Sequence, residues 1–203
     1  SFGGSGKTPM VEFIAEQLLD RNFLPAIISR GYGRKSYNEI IVSDGKQLLA
    51  DVELAGDEPY MLAQSLPTLP IIVGKKHSAI ASACTSFSIK TVILDDSFQT
   101  NYIKKNLEVL LIDVSININC YQLFPAGVLR EPLGAINRAD VIIFTKSNFD
   151  SGSKEKIKTL VFNNLNKPDI LFLESDYIVT LKKYDKKNHS FFLLSEIVNE
   201  PLV

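Results

Sequence analysis

The sequence predicts an α/β fold, a mainly parallel sheet flanked by helices, and three observations predict it. Short apolar runs alternate with segments of helical periodicity, which is the pattern of βαβ units. Each run ends in polar residues at its carboxyl end, the edge at which open α/β sheets bind ligands. A glycine-rich turn stands directly before the first helical segment.

That turn is Ser1-Phe2-Gly3-Gly4-Ser5-Gly6-Lys7-Thr8. Glycines let successive backbone N–H groups converge on phosphate oxygens, a lysine neutralises the terminal phosphates, and a Ser or Thr hydroxyl ligates Mg²⁺. Gly3, Gly4, Ser5, Gly6, Lys7 and Thr8 are therefore candidate residues for binding a nucleoside triphosphate, with Thr8 a candidate metal ligand, and the expected fold is P-loop NTPase-like. Ser1 stands where the pattern G-x-x-x-x-G-K-[ST] has its first glycine, so an accidental Gly/Ser turn is the alternative. The helical spacing over residues 9 to 21, with Pro9 in its first turn, favours the loop, because a helix N-terminus then faces the anion. Such a loop follows a buried strand, which here would precede residue 1. The chain is thus expected to be a piece of a longer protein, cut at both ends.

The further strands expected are Pro25-Ala26-Ile27-Ile28-Ser29, Pro70-Ile71-Ile72-Val73, Thr91-Val92-Ile93-Leu94-Asp95, Glu108-Val109-Leu110-Leu111-Ile112-Asp113 and Val141-Ile142-Ile143-Phe144-Thr145. Helices are expected over residues 57 to 66, 76 to 87 and 152 to 165. β-Branched residues before Ser43-Asp44-Gly45-Lys46 suggest a hairpin. From Leu171 the texture changes to two apolar runs, Ile178-Val179-Thr180-Leu181 and Phe191-Phe192-Leu193-Leu194, around a lysine-rich loop. Residues 1–170 are read as one domain lacking its first strand, and 171–203 as a β-hairpin connector toward a missing C-terminal part.

A chain of 203 residues with 45% apolar content suits one α/β domain and the start of another. Its formal net charge of −1 gives no global electrostatic case for nucleic acid. Cys84 and Cys120 have neither disulfide-framework nor metal-ligand spacing, and read as buried or semi-buried thiols of a cytoplasmic protein. No apolar run reaches the roughly 18 residues of a membrane span. His77 and His189 are isolated and read as surface residues.

Five places beyond the loop carry chemistry. Asp95 and Asp96 end an apolar strand, as metal-associated acids do in phosphoryl-transfer sites, or else form a solvated turn. Asp57, in Gly56-Asp57-Glu58-Pro59, opens a helix and serves equally as a cap. In Ser29-Arg30-Gly31-Tyr32-Gly33-Arg34 two guanidinium groups sit among glycines at the ligand edge, suiting an anion. Arg130 lies between prolines in Phe124-Pro125-Ala126-Gly127-Val128-Leu129-Arg130-Glu131-Pro132-Leu133, either held for charge stabilisation or incidental to a surface turn. Thr145-Lys146 is read as a base-binding position or a strand cap.

Taken in order, G-G-S-G-K-T-P, S-R-G-Y-G-R, G-D-E-P, D-D-S-F-Q and P-A-G-V-L-R-E-P resemble the tetraacyldisaccharide 4'-kinase family of lipid A biosynthesis. The resemblance implies ATP- and Mg²⁺-dependent phosphorylation of the 4'-hydroxyl of an acylated glucosamine disaccharide 1-phosphate lipid, at the cytoplasmic face of the bacterial inner membrane. It implies Asp57 as catalytic base, Lys7 and Thr8 as phosphate and metal ligands, Asp95 and Asp96 as the metal-associated pair with Gln99 close behind, and Arg130 and Glu131 near the transferred phosphate. Ser97 and Val128 depart mildly from the family pattern, and His77 falls where the family commonly has Arg. The family's Asp-His pair and its membrane-associating helix have no counterpart in these 203 residues. A P-loop ATPase or GTPase switch and a kinase of a soluble metabolite are the rival readings.

Overall fold

The computed structural model describes residues 4–31, 34, 38–149 and 152–178, apart from the side chain of His77, and the backbone of residues 182–185 and 190–193. The readings of Gly3, of Tyr32 and Gly33, of most of the run 178–181 and of His189 lie outside the described residues.

The longest unbroken apolar runs become the most buried strands. All five residues of β1 (Pro25–Ser29) and all four of β3 (Pro70–Val73) are buried, as strands covered on both faces must be. They pair in parallel, with Ile27 opposite Ile71 and Ile28 opposite Ile72. On the other side of β1 lies parallel β4 (Thr91–Leu94). The edge beyond β3 is antiparallel β2 (Ile40–Asp44), giving the order β2-β3-β1-β4. The expected turn after β2 is present: the Asp44 carboxylate accepts hydrogen bonds from the backbone N–H of Lys46 and Gln47, each at 2.8 Å.

Side chains alternate faces along these strands, so one sheet makes two cores. Ile27, Val42, Ile71 and Val73 pack with Val11 and Ala15 of α1 (Lys7–Leu19) and Leu62 of α3 (Asp57–Ser65). Ala26, Ile28 and Ile72 point the other way, against Ala79 and Ala83 of α4 (Lys76–Phe87). A one-turn helix, α2 (Val52–Ala55), precedes α3 and is capped by the Asp51 carboxylate, which accepts from Leu54 N at 2.9 Å.

A second, all-parallel sheet runs β5 (Val109–Asp113), β6 (Val141–Thr145), β7 (Leu171–Ser175). Its core joins Ile112, Ile142 and Phe144 to Ile157 and Val161 of α5 (Lys154–Asn163). The change of texture at Leu171 is therefore not the edge of the sheet, since Leu171–Ser175 pairs with β6 along its whole length. Part of the lysine-rich stretch expected as a loop is itself a strand, β8 (Lys182–Asp185), antiparallel to β9 (Ser190–Leu193). Both cysteines are exposed, contrary to expectation. The buried stripe of α4 runs through Ala79 and Ala83, and Cys84 lies one position round the helix from it.

Between the open edges of β4 and β5 lies a slot of about 950 Å³, lined on one side by Thr91–Asp95 and on the other by Glu108–Asp113. Met10, Val11, Ile14 and Leu18 of α1 line it too, and the phosphate loop stands at the carboxyl end of both edges.

Candidate functional site

The loop before α1 has the backbone its glycines foretell. Gly4 and Gly6 adopt φ of 91° and 84°, the left-handed region that costs other residues free energy. A Cβ at Gly6 would approach nothing closer than Thr145 Cγ2 at 3.9 Å, so the requirement is conformational rather than steric. Gly6 caps α1, with Met10 N donating to its carbonyl at 3.1 Å, and Pro9 falls among first-turn positions whose N–H has no helical partner. The first turn holds no acidic residue, so the positive helix end remains free to attract an anion. Thr8 lies in that turn, partly buried. From the second sheet, Thr145 Oγ1 donates to the Ser5 carbonyl at 3.1 Å and ties the loop to the carboxyl end of β6.

Across from the loop, Asp96 gathers the cations. Its Oδ1 is 3.9 Å from Lys7 Nζ and its Oδ2 is 2.8 Å from Arg130 Nη1. Arg130 also reaches Gln99 Oε1 at 3.5 Å. Partial burial works to raise the Asp96 carboxyl pKa, but the Arg130 hydrogen bond and charge, with Lys7 and Lys76, outweigh it and hold it below the usual range. Arg130 owes its position to a folded loop. Val128 N donates to Cys120 O and Leu129 N to Gln122 O, both at 2.9 Å. A Cβ at Gly127 would sit 2.4 Å from Cys120 O, so only glycine fits there.

The two acids that the sequence pairs have different partners. Asp95 is 3% exposed and its Oδ2 accepts from Ser29 Oγ at 3.0 Å. Its backbone carbonyl accepts a hydrogen bond from Lys76 Nζ. Lys76, 2% exposed, is a residue that the sequence reading missed. Burial lowers its pKa to about 8, against the pull of Asp95 and Asp96 in the other direction. Its one sequence signal is a basic residue following a strand at the ligand edge, which in Lys75-Lys76 reads as a solvated pair.

Asp57 is the first residue of α3, behind the cap Gly56 at φ 88°, so it is not the cap itself. It is exposed, and among the described residues no contact joins it to the Lys7, Asp96 and Arg130 group. Glu131 is paired with Arg138, which donates to it, donates to Phe98 O at 3.2 Å, and lies 4.6 Å above the Phe98 ring. Arg34 donates to Asn38 O at 2.5 Å, closing its own loop, and Arg30 is exposed. Lys146 bonds Asp113 Oδ2 at 2.7 Å, joining the ends of β5 and β6. With Gly4, Ser115, Phe149 and Tyr177 it lines a second cavity of about 410 Å³ beside the loop.

Comparison with known proteins identifies the family and the fold. The family model for tetraacyldisaccharide-1-P 4'-kinase matches residues 1–189. A tetraacyldisaccharide 4'-kinase of Desulfotalea psychrophila is 44% identical over 147 residues, 71% of this chain and 42% of that protein. Its counterpart in Halothermothrix orenii is 39% identical over 169 residues, 81% of this chain and 44% of that protein. The crystal structure of LpxK from Aquifex aeolicus in complex with ATP superposes with a TM-score of 0.73 at 28% identity, covering 98% of this chain and 58% of that one. This chain thus spans less than half the length of the curated relatives, and within that span it belongs to the tetraacyldisaccharide-1-P 4'-kinase family.

Proposed function

We propose that this chain carries the nucleotide half of an enzyme that moves the γ-phosphate of ATP to the 4'-hydroxyl of an acylated glucosamine disaccharide 1-phosphate. The observation that carries the reading is the convergence of Lys7, Asp96 and Arg130 beside a helix N-terminus free of acids. Phosphoryl transfer depends mainly on positioning and on neutralising charge that spreads over the transferred group. Lys7 and the backbone N–H groups of Gly4 to Thr8 hold the phosphates, and Arg130 stands ready to stabilise the charge that develops.

The oxygen donors fit Mg²⁺. That ion keeps several waters and is bound through one or two carboxylates plus substrate phosphates rather than in an all-protein cage. Asp96 presents a carboxylate opposite Lys7, Thr8 offers a hydroxyl, and Asp95 adds a second carboxylate held by Ser29. Among the described residues no cluster of three His, Cys, Asp or Glu side chains forms, and this chemistry needs none. Bound there, the ion would neutralise the phosphate oxygens.

Asp57 is assigned as the base: exposed and without a side-chain partner among the described residues, it accepts the proton of the sugar hydroxyl as that oxygen attacks the γ-phosphorus and the bond to ADP breaks. Gln99 orients the phosphate side through Arg130, and Glu131 contributes through its brace with Arg138. The cavity between Lys146, Phe149 and Tyr177 seats the nucleotide base, since aromatic faces and a polar rim suit a purine.

An acylated acceptor suits the surroundings of Asp57. Leu48, Leu49, Val52 and Leu54 before it and Met61 one helical turn after it are each 41–50% exposed, an apolar margin that suits acyl chains or the face of a bilayer. No helix among the described residues is long and apolar enough to cross a membrane, and the apolar margin beside Asp57 is what supports the proposed contact with the cytoplasmic face of the inner membrane. The nucleotide domain covers residues 1–170 with β7 added to its sheet, and the β8–β9 hairpin leads onward.

The test is ADP release by the complete protein with Mg·ATP. The proposal expects release that depends on the acylated disaccharide 1-phosphate. Release without an acceptor would favour a nucleotide switch, and release driven by soluble glucosamine would favour a metabolite kinase. Either result would overturn it.

A further inference from the structure

The carbonyl that Lys76 holds is the one joining Asp95 to Asp96. Immediately after it, Asp96 adopts φ of 46°. A non-glycine residue persists in that region only where its surroundings enforce it, because the conformation costs about 1 kcal/mol or more. Its surroundings do so from several sides. Asp95 N donates to Ile28 O at 2.9 Å, and Ser29 Oγ fixes the Asp95 carboxylate. Ser97 Oγ returns to Leu94 O at 2.9 Å, and Lys105 Nζ holds Ser97 O at 3.1 Å. Lys76 is the only buried cationic side chain among the described residues, and it reaches the turn from α4, on the opposite side of the sheet from α1.

A buried ammonium is costly unless something requires it. Bracing α4 against the sheet is not that requirement, because Ala79 and Ala83 already pack there against Ala26, Ile28 and Ile72. What Lys76 alone provides is a donor at the peptide whose twist turns the Asp96 carboxylate toward Lys7 and Arg130. We infer that Lys76 is a positioning residue for phosphoryl transfer: it locks the left-handed turn at Asp96, so that this carboxylate stands where the metal-bound phosphates of ATP dock. The inference rests on the ATP reading of the loop.

The experiment compares wild type with Lys76→Met, an apolar side chain of similar reach. ATP affinity is measured with and without Mg²⁺, together with the melting temperature. The ratio of the two affinities isolates the metal-linked part of binding, which uses Asp96, from the part made by the loop and Lys7. In K76M the ratio falls by about tenfold, the size expected for losing a hydrogen bond from a charged group. The melting temperature falls in K76M, because the buried Asp95 carbonyl loses its donor and the neighbouring carboxylates lose a counter-charge, so the ratio of affinities and not the melting temperature carries the test. Lys76→Arg, which keeps donor and charge, retains most of the ratio. An unchanged ratio in K76M overturns the inference, and both affinities reduced in proportion mark Lys76 as merely structural. If K76M is not recovered folded, Lys76→Leu serves the same comparison. Wild type that binds Mg·ATP yet phosphorylates no acylated acceptor defeats the proposed function and leaves Lys76's role standing. Wild type that gains no affinity from Mg²⁺ defeats both.

Discussion

Removing the Arg130 guanidinium leaves Lys7 as the ion-pair partner of Asp96 among the described residues and takes away the cation proposed to meet charge on the transferred phosphate. Arg130→Ala is therefore expected to lower transfer about a hundredfold or more. The melting temperature should barely move, because the Arg130–Asp96 pair is about one third exposed and such pairs contribute under about 1 kcal/mol. Turnover and thermal unfolding of the same preparation check this, and loss of both together would contradict it. At this scale the left-handed turn at Gly4 and Gly6 was legible from the glycine pattern, while the meeting of Lys7, Asp96 and Arg130 is made only by the fold. The separate roles of Asp95 and Asp96 were not legible either. They depend on Ser29 and Lys76, which lie 66 and 19 residues away in sequence, and no local pattern announces such partners. Arg138 was missed for the same reason, its bonds to Glu131 and Phe98 being made only when the chain folds back.

Strand β7 meets α5 through one aromatic contact, Phe172 on Phe162 at 5.0 Å between ring centroids, and through charge. Leu171 and Leu173 are 56% and 44% exposed, while Glu174 takes Lys158 and, at 3.0 Å, Lys154 from α5. The Lys158 hydrogen bond, then those of Lys154 and Ser147, push the Glu174 carboxyl down to about 2 from an ordinary 4.5. A carboxyl lowered in the folded state stabilises fully above its unfolded pKa and loses that contribution as pH falls through its folded one. The melting-temperature difference between wild type and Glu174→Gln should thus be constant above pH 4.5 and vanish as the pH approaches about 2. It should stay small, under about 1 kcal/mol, for so exposed a group. A difference that ignores pH would contradict the clamp. The same exposure explains why the sequence reading ended its main domain at residue 170: an edge strand with one apolar face in solvent lacks the unbroken run that revealed β1 and β3. Helix α2 has only four residues and leaves no periodicity to read.

In the whole molecule the two sheets face each other across the slot between β4 and β5. Both edges are parallel strands in their own sheets, and both point their carboxyl ends at the phosphate loop. The alternation of strand and helix made the α/β architecture readable in advance. The division into two sheets was not, because it depends on which strand edges meet.

The central claim is that the loop, Lys7, Asp96 and Arg130 deliver the γ-phosphate to a sugar hydroxyl of an acylated disaccharide. The most direct measurement is the position of the new phosphate on that lipid, read by mass spectrometry and phosphorus NMR after incubation of the complete protein with Mg·ATP. The account predicts a single added phosphate, on the 4'-hydroxyl. A lipid recovered unchanged, with the phosphate released to water, would contradict it.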